Sequence, residues 1–383
     1  MKIQLIQPKS DPMVNRIVMP IGLASIASVL RDEGHEVVII DEDIGQRPSM
    51  KGIDVTGVSI NMSSREKRSR EIMRKISSGK IVAGGQHAAW IDLGEIHVIR
   101  GEGENEMLKF VGSPVKNFTI ETLPLAAYDL LDVEKYFKLG TGENPFSPGK
   151  RVIQYETSRG CNFSCKFCVT KKFWGTWRGK SPGKVVDELS TLKEKFGFDE
   201  ANFVDANLLM DKNRAKRMFE MIASELPGIK CSNPGGIWTR GLDDELIDIM
   251  CDAGFYQFTF PIETTHERWI EEFNMKPKLD HSRLPELTAK CHQRGARVHA
   301  FLIAGFPGET ISDVEKDLAE CRKAGIDSVS IHMLVKFPGL SHSFESPFKS
   351  YYDAPFISLL EKAWNSERLL SRMKRKSKNE MAR

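Results

Sequence analysis

Three cysteines stand close together in this chain: Cys161, Cys165 and Cys168, in the run Ser158-Arg-Gly-Cys-Asn-Phe-Ser-Cys-Lys-Phe-Cys168. A C-x3-C-x2-C spacing on a loop that leaves the strand-like run Val152–Thr157 lets three thiolates converge on one inorganic centre. A closed structural zinc site takes four ligands, and a four-iron cluster usually has four cysteines. The local count stops at three, so a cluster on this loop keeps one iron open, and an open iron is a place for chemistry. Two plainer readings stand beside it: a zinc knuckle completed by a distant fourth ligand, and three unrelated core thiols.

The other four of the seven cysteines, Cys231, Cys251, Cys291 and Cys321, are scattered singly in helix- or strand-like runs. An odd number in this distribution is not a disulfide framework. It fits a reducing cytoplasm, with the four lone thiols acting as small buried hydrophobes. A chain of 383 residues with 40% apolar content is expected to build about two packed domains. A formal charge of +3 provides neither a nucleic-acid-binding stripe nor an acidic tail. Met1-Lys2 runs straight into Ile3-Gln-Leu-Ile without the apolar core of a secretory signal. No apolar run reaches the length of a membrane span; Val298–Gly305 is strand-sized. A cytoplasmic protein with no nucleic-acid and no membrane partner is expected. The basic run Arg372-Met-Lys-Arg-Lys-Ser-Lys reads as a solvated tail.

The elements that must carry the cysteine loop alternate between strand and helix. Residues 1–112 read as a first domain. Lys2–Gln7, Glu36–Asp41, Val55–Ile60, Lys80–Ala83 and Ile96–Arg100 have strand patterns, and Gly22–Glu33 and Ser64–Ile76 are helical. The Val-Val-Ile-Ile run after Glu36 predicts a strand buried on both faces. Gly34 stands where a helix C-cap is expected. Repeated β–α units imply a parallel sheet, with ligands outside the carboxyl ends of its strands. Those ends carry Ser59, Asn61 and Met62, then Gly84-Gly-Gln-His87, then Gly101-Glu-Gly-Glu104. Glycines there give a ligand close access to the backbone. Gly101-x-Gly103 lacks the third glycine of a dinucleotide fingerprint.

Residues 113–150, with several prolines and glycines, form a connector that is too apolar to be a free linker. Residues 151–347 continue the rhythm through strands at Val152–Thr157, Ala201–Asp205, Ile229–Asn233, Gln257–Glu263, Val298–Ala304 and Ser328–Leu334. Helices fall at Pro182–Phe196, Lys212–Leu226, Asp243–Ala253, Arg283–Arg294 and Ile311–Ala324, with a further helical stretch at His266–Phe273. Where such repeated β/α units close into a barrel, the active groups lie at the carboxyl ends of the strands. Residues 348–383 add a helix-like stretch, Phe356–Ser371, and the basic tail.

The C-x3-C-x-aromatic-C pattern, with Phe167 as the aromatic, resembles the signature of radical S-adenosylmethionine (SAM) enzymes. Met19-Pro-Ile-Gly through Gly34-His-Glu-Val37, Gly-Gly-x-His and Arg-Gly-Glu-Gly-Glu resemble the cobalamin-binding domain fused to many of them. The resemblance implies an α/β chain in which a Rossmann-like parallel sheet of cobalamin-binding type precedes a partial (β/α)6 radical SAM barrel. It implies a [4Fe–4S] cluster on Cys161, Cys165 and Cys168, SAM chelated by the open iron, and cobalamin. Residue by residue, it implies that Asp205 and Asn207 receive the SAM ammonium and that Glu263 binds the ribose hydroxyls. Ile303 would pack on the adenine, Gly305 would begin the Gly-Phe-Pro-Gly-Glu turn beside it, and Phe167 would offer a backbone contact. For the corrin it implies Ser59, Asn61, Met62, Gly84, Gly85, Gln86, His87, Gly101, Glu102 and Gly103. The sequence departs from the cobalamin mutases in one respect: it has no Asp-x-His-x-x-Gly, so the expected binding mode is base-off, with no histidine on cobalt.

In the class that this chain resembles, one SAM methylates cob(I)alamin. A second SAM yields the 5′-deoxyadenosyl radical, which takes a hydrogen atom from an unactivated carbon, and the carbon radical captures the methyl group. The expected function is therefore a cobalamin-dependent radical SAM C-methyltransferase, with an external electron donor such as flavodoxin or ferredoxin. Its substrate is a peptide or protein carbon, or a small metabolite. The alternative within the same architecture is a radical cyclisation, decarboxylation or rearrangement without methyl transfer. A non-catalytic sensor is the third reading, and the intact cysteine loop with its SAM-like strand ends argues against it.

Overall fold

The computed structural model describes residues 1–10, 17–140, 144, 146–335, 337, 340 and 358–359. The helix expected at 356–371 and the basic tail lie outside the described residues, apart from 358 and 359. In chain order the strands and α-helices are β1 (Lys2–Gln7), α1 (Ile21–Asp32), β2 (Glu36–Asp41), β3 (Val55–Ser59), α2 (Glu66–Lys75), β4 (Lys80–Gly84), β5 (His97–Val98), α3 (Gly103–Val111) and α4 (Val133–Leu139). Then come β6 (Val152–Tyr155), β7 (Ser158–Arg159), α5 (Thr170–Trp174), β8 (Arg178–Gly179), α6 (Pro182–Phe196), β9 (Glu200–Phe203), α7 (Lys212–Glu225) and β10 (Lys230–Ser232). The series ends with α8 (Asp244–Asp252), β11 (Phe255–Glu263), α9 (Glu267–Glu272), α10 (Leu284–Gln293), β12 (Arg297–Ala304), α11 (Ile311–Lys323) and β13 (Ser328–Met333).

Two sheets carry the fold, one of five strands in the order β2-β1-β3-β4-β5 and one of six in the order β13-β12-β11-β10-β9-β6; β7 and β8 form a separate antiparallel pair. The chain divides into two compact units, residues 1–155 with 187–200, and residues 156–186 with 201–383. This is an α/β protein: a Rossmann-like sheet precedes the strands of a partial barrel.

In the first unit β1 runs parallel to β2 on one side and β3 on the other, with Ile3 opposite both Val37 and Val55. The strand order reverses there, and the crevice at the carboxyl ends of β1 and β3 is the switch point at which open α/β sheets take ligands. The Val-Val-Ile-Ile run of β2 is not buried on both faces. β2 is an edge strand, and Val38 stands 43% exposed. α1 closes as expected, with Gly34 at φ 77° and its N–H on the Arg31 carbonyl. At the carboxyl ends, Asp43 pairs with Arg65 (2.7 Å), both side chains fully buried, and Asp43 Oδ1 accepts from Ser10 N (2.9 Å). Arg65 also donates to the Pro8 carbonyl, so the segments after β1, β2 and β3 are tied together. Tyr136 of α4 donates to Asp41 Oδ2 at 2.5 Å, where Gln7 Nε2 also donates at 2.9 Å.

In the second unit the helices cover one face of the strands with aromatic side chains. Phe219 of α7 meets Phe203 of β9 (6.0 Å, 77°) and Phe255 of β11 (5.7 Å, 85°) edge to face, the arrangement the ring quadrupole favours. Asp243 caps α8 by accepting from Leu246 N, and Thr310 with Asp313 forms a capping box on α11. Among the described residues no helix is long and apolar enough to cross a membrane.

Candidate active site

The cysteine loop leaves β7 at Gly160, whose φ is +82°. A Cβ there would lie 2.4 Å from the Thr176 carbonyl oxygen, so only glycine fits. Cys161 N donates to Gly175 O (3.3 Å), and Cys168 N donates to Cys165 O (3.1 Å), which folds the loop back on itself. Lys171 Nζ donates to Asn162 O and Ser164 Oγ, both at 3.1 Å. The far side of the loop is pinned to the segment after α9: Lys166 N donates to Phe273 O (3.0 Å) and Asn274 Nδ2 to Ser164 O (3.1 Å).

The three thiols have different surroundings. Cys165 is buried in a cluster with Trp269, Phe273, Met275, Leu279, Ile303 and Phe306, and Phe163 and Phe167 pack against that cluster. Burial pushes the Cys165 thiol up to about 12, while the Lys278 ammonium pulls the other way. Cys161 is half-buried and Cys168 exposed. The structure thus brings Cys165, Phe167 and Ile303 into one packed group.

Asp205 and Asn207, just beyond β9, lie on the other flank. The Asp205 carboxylate accepts from Thr157 N (3.0 Å), Thr157 Oγ1 (2.7 Å) and Ser158 Oγ. In this structure Asp205 therefore braces the strand that enters the cysteine loop. Burial raises its pKa against the pull of those hydrogen bonds. Asn207 Nδ2 lies 3.8 Å from Cys161 Sγ, and its carbonyl accepts from Trp177 Nε1 (2.9 Å). Asn207 Oδ1 is buried with no hydrogen-bond partner.

Glu263 ends β11 with φ +62°, a left-handed conformation rare for a non-glycine residue, at a shift in the β11–β12 register. Lys278 Nζ donates to its Oε1 at 2.5 Å. After β12, Gly305 takes φ +112°. Its N–H and that of Phe306 (3.3 Å) both donate to Glu309 Oε2, closing the Gly-Phe-Pro-Gly-Glu turn. Trp269 Nε1 donates to the Pro307 carbonyl (3.2 Å) and stacks on Phe306 (5.3 Å).

In the first unit the residues expected around the corrin lie at or just past the carboxyl ends of β3, β4 and β5, with Ser59 and Gly84 as the last residues of β3 and β4. Asn61 is exposed; Ser59, Met62, Gly84, Gly85, Gln86, Gly101, Glu102 and Gly103 are half-buried. Gly85 has φ +105°, and a Cβ there would come within 2.9 Å of the Ile60 carbonyl. Gly103 opens α3, where a Cβ would meet Ile26 Cδ1 at 2.6 Å. His87 is buried, with Nε2 on Glu66 at 2.8 Å, and His35 Nε2 is on Ser113 Oγ at 2.8 Å.

Sequence reasoning missed Lys278 and the hydroxyls of Thr157 and Ser158. Lys278 approaches Glu263 only because the turn after α9 folds against the cysteine loop, and Asn274-Met-Lys-Pro-Lys278 gives no local sign of it. The Thr157-Ser158 hydroxyl pair, directly before the first motif residues, was the available signal that a carboxylate would clamp this strand.

A radical SAM superfamily model matches residues 155–321, and a B12 binding domain model matches residues 14–111. The chain therefore contains a radical SAM domain and a B12-binding domain. Cytidylyl-2-hydroxyethylphosphonate methyltransferase of Streptomyces wedmorensis is 34% identical over 218 residues, covering 55% of this chain and 40% of the relative. An uncharacterized methyltransferase of Pyrococcus horikoshii, PH0819, is 28% identical over 388 residues, covering 88% and 82%. This chain thus spans less than half of the first relative and most of the second. Among solved structures, the radical SAM methyltransferase TsrM from Kitasatospora setae, with tryptophan substrate and a SAM analogue bound, superposes with a TM-score of 0.68 at 16% identity. That likeness covers 86% of this chain and 72% of TsrM, and it establishes the shared fold.

The radical SAM domain brings a [4Fe–4S] cluster and SAM, and the B12-binding domain brings cobalamin. The residues present fit the cluster. Three soft thiol donors share one loop. Among the described residues no group of His, Cys, Asp or Glu is drawn in around a single ion, and a cubane, being larger than an ion, needs its ligands further apart. Asn207, whose Nδ2 lies beside Cys161, also holds a buried and partnerless acceptor, Oδ1. The glycine-lined strand ends of the first unit fit a large planar ligand that approaches backbone.

Proposed function

We propose that this protein is a cobalamin-dependent radical SAM C-methyltransferase that methylates an unactivated carbon of a small molecule. When bound, the cluster and SAM supply a carbon-centred radical by one-electron cleavage of the sulfonium, and cobalamin supplies the methyl group. The observation that carries the reading is the convergence of Cys165, Phe167 and Ile303 in one cluster, with Asn207 on Cys161 and Lys278–Glu263 beside it, on a chain that also matches a B12-binding domain.

In this reading Cys161, Cys165 and Cys168 hold the cluster and Phe167 lines the adenosine side. Glu263, with two carboxylate oxygens, accepts from both hydroxyls of a ribose diol. Ile303 and the Gly305 turn shape the apolar wall against the adenine. Asn207 offers its partnerless Oδ1 to the SAM ammonium. Asp205, already accepting three hydrogen bonds, keeps the cysteine loop in place and leaves that contact to Asn207. Residues 1–112 take the corrin and 151–347 form the barrel. Since His87 is engaged by Glu66 and His35 by Ser113, we propose a base-off cobalamin with no histidine on cobalt. The protein supplies orientation and excludes water, and the cofactors supply the hard chemistry. A small-molecule substrate is supported by the names of the relatives, a nucleotidylated phosphonate in one case and tryptophan in the other. An external one-electron donor of the flavodoxin or ferredoxin type completes the cycle.

The test is anaerobic purification and cluster reconstitution, followed by titration with hydroxocobalamin. Stoichiometric corrinoid binding beside a four-iron cluster supports the reading, and candidate substrates are then screened with deuterated-methyl SAM for a gain of one labelled methyl group. A cluster that cleaves SAM in a protein that binds no corrinoid overturns it.

A further inference from the structure

Lys278 lies outside every motif of the sequence, yet its ammonium is largely buried, with 18% of the side chain exposed, and sits 2.5 Å from Glu263 Oε1. It is carried by the turn that follows α9. The start of this turn, Phe273–Asn274, is hydrogen-bonded to the cysteine loop at Lys166 and Ser164. Met275 and Leu279, on either side of the lysine, belong to the apolar cluster that buries Cys165. The ammonium is within electrostatic reach of both Cys165 and Cys168.

We infer that Lys278 is a positioning and charge-balancing residue that couples the Glu263 carboxylate to the three-cysteine site: it fixes the carboxylate and offsets the negative charge gathered around the sulfurs. The inference rests on the reading above, in which the cysteines hold a cluster and Glu263 meets the SAM ribose. Its physical basis is simple. The sulfur of Cys165 and the Glu263 carboxylate are both buried; negative charges there repel one another, and a charge in such a place is tolerated only when it is paired. Adding an electron makes the cluster site one unit more negative. A fixed cation nearby therefore favours the reduced form and raises the midpoint potential. A bound ammonium also leaves the second oxygen of Glu263 free to accept, so the carboxylate is oriented rather than blocked.

The test compares wild type with K278M, K278R, E263Q and the double variant K278M/E263Q, each reconstituted anaerobically. Iron content and far-UV circular dichroism are recorded first. Midpoint potentials are then read by EPR-monitored redox titration at one fixed pH, without SAM. K278M is expected to shift the potential negative and E263Q to shift it positive, each by about a tenfold change in the oxidised-to-reduced ratio, about 59 mV for a one-electron couple. K278R and the double variant, with net charge conserved, are expected near wild type. SAM affinity, measured by equilibrium dialysis, is expected to fall about tenfold in K278M and to be retained in K278R. Equal potentials in K278M, E263Q and wild type overturn the inference. If K278M fails to fold, the opposite shift in E263Q and its cancellation in the double variant still decide it. Failure of the wild type to assemble a cluster, or to bind SAM, would instead overturn the reading of the site itself.

Discussion

Replacing Glu309 by glutamine should make the protein more stable at alkaline pH and leave it unchanged in mild acid. Glu309 is 5% exposed and accepts from the N–H groups of Gly305 and Phe306. Burial pushes its carboxyl up to about 8 from 4.5, against those two bonds, with Asp317 and Asp313 adding to the rise. Below pH 4.5 the folded and unfolded chains both carry the proton, and the group's contribution is fully present. Between 4.5 and 8 the unfolded chain releases the proton while the fold retains it, so stability falls as pH rises. By about pH 8 the loss amounts to about 5 kcal/mol, at 1.36 kcal/mol per pKa unit. Glutamine keeps an acceptor oxygen for Gly305 and Phe306 and cannot ionise. At about 2 °C per kcal/mol for a domain of this size, E309Q should melt about 10 °C above wild type at pH 9, with the gap closing toward pH 5. Paired scanning calorimetry, with both proteins in the same cofactor state, measures it. A gap that does not change between pH 5 and 9 would refute the desolvation argument. A wild type that is the more stable protein at pH 9 would show that the two backbone donors outweigh burial.

Alanine at Cys161, Cys165 or Cys168 should abolish assembly of an intact four-iron cluster, seen as loss of the visible charge-transfer absorption and of bound iron, with the far-UV spectrum preserved. G160A forces a Cβ toward the Thr176 carbonyl at a positive φ; it should cost about 1–3 kcal/mol in chemical denaturation and lower cluster yield. R65M leaves Asp43 buried without its partner and should destabilise by about 3–5 kcal/mol, read as a lower denaturation midpoint.

The regular elements were readable because their patterns are local. β1, β2 and α6 fall at the residues that hydrophobic period and capping predict, and most other elements differ from expectation by a residue or two at each end. Less was legible where geometry depends on distant partners. β5 is only two residues long although five fit a strand pattern, since only Val82 and Ala83 of β4 pair with it. β7 and β8 pair through just two positions, Ser158 with Gly179 and Arg159 with Arg178, and no periodicity can signal a ladder that short. The cysteine spacing and the strand-end carboxylates were legible as chemistry. What each carboxylate touches was not: Asp205 faces Thr157 and Ser158, and Glu263 faces Lys278, partners between 15 and 48 residues away along the chain. The edge position of β2, which leaves Val38 in solvent, is likewise a property of strand order and not of the Val-Val-Ile-Ile run itself.

The unequal shelter of the three thiols gives the site an order of access in time. Cys168 stands in solvent, Cys161 is half covered, and Cys165 is held by apolar neighbours that keep its sulfur protonated. Thiolates, not thiols, ligate metal and react with electrophiles. Iron reaching the loop would therefore meet Cys168 before Cys165. The same gradient governs damage: in the cluster-free protein an alkylating reagent or peroxide marks Cys168 while Cys165 stays protected.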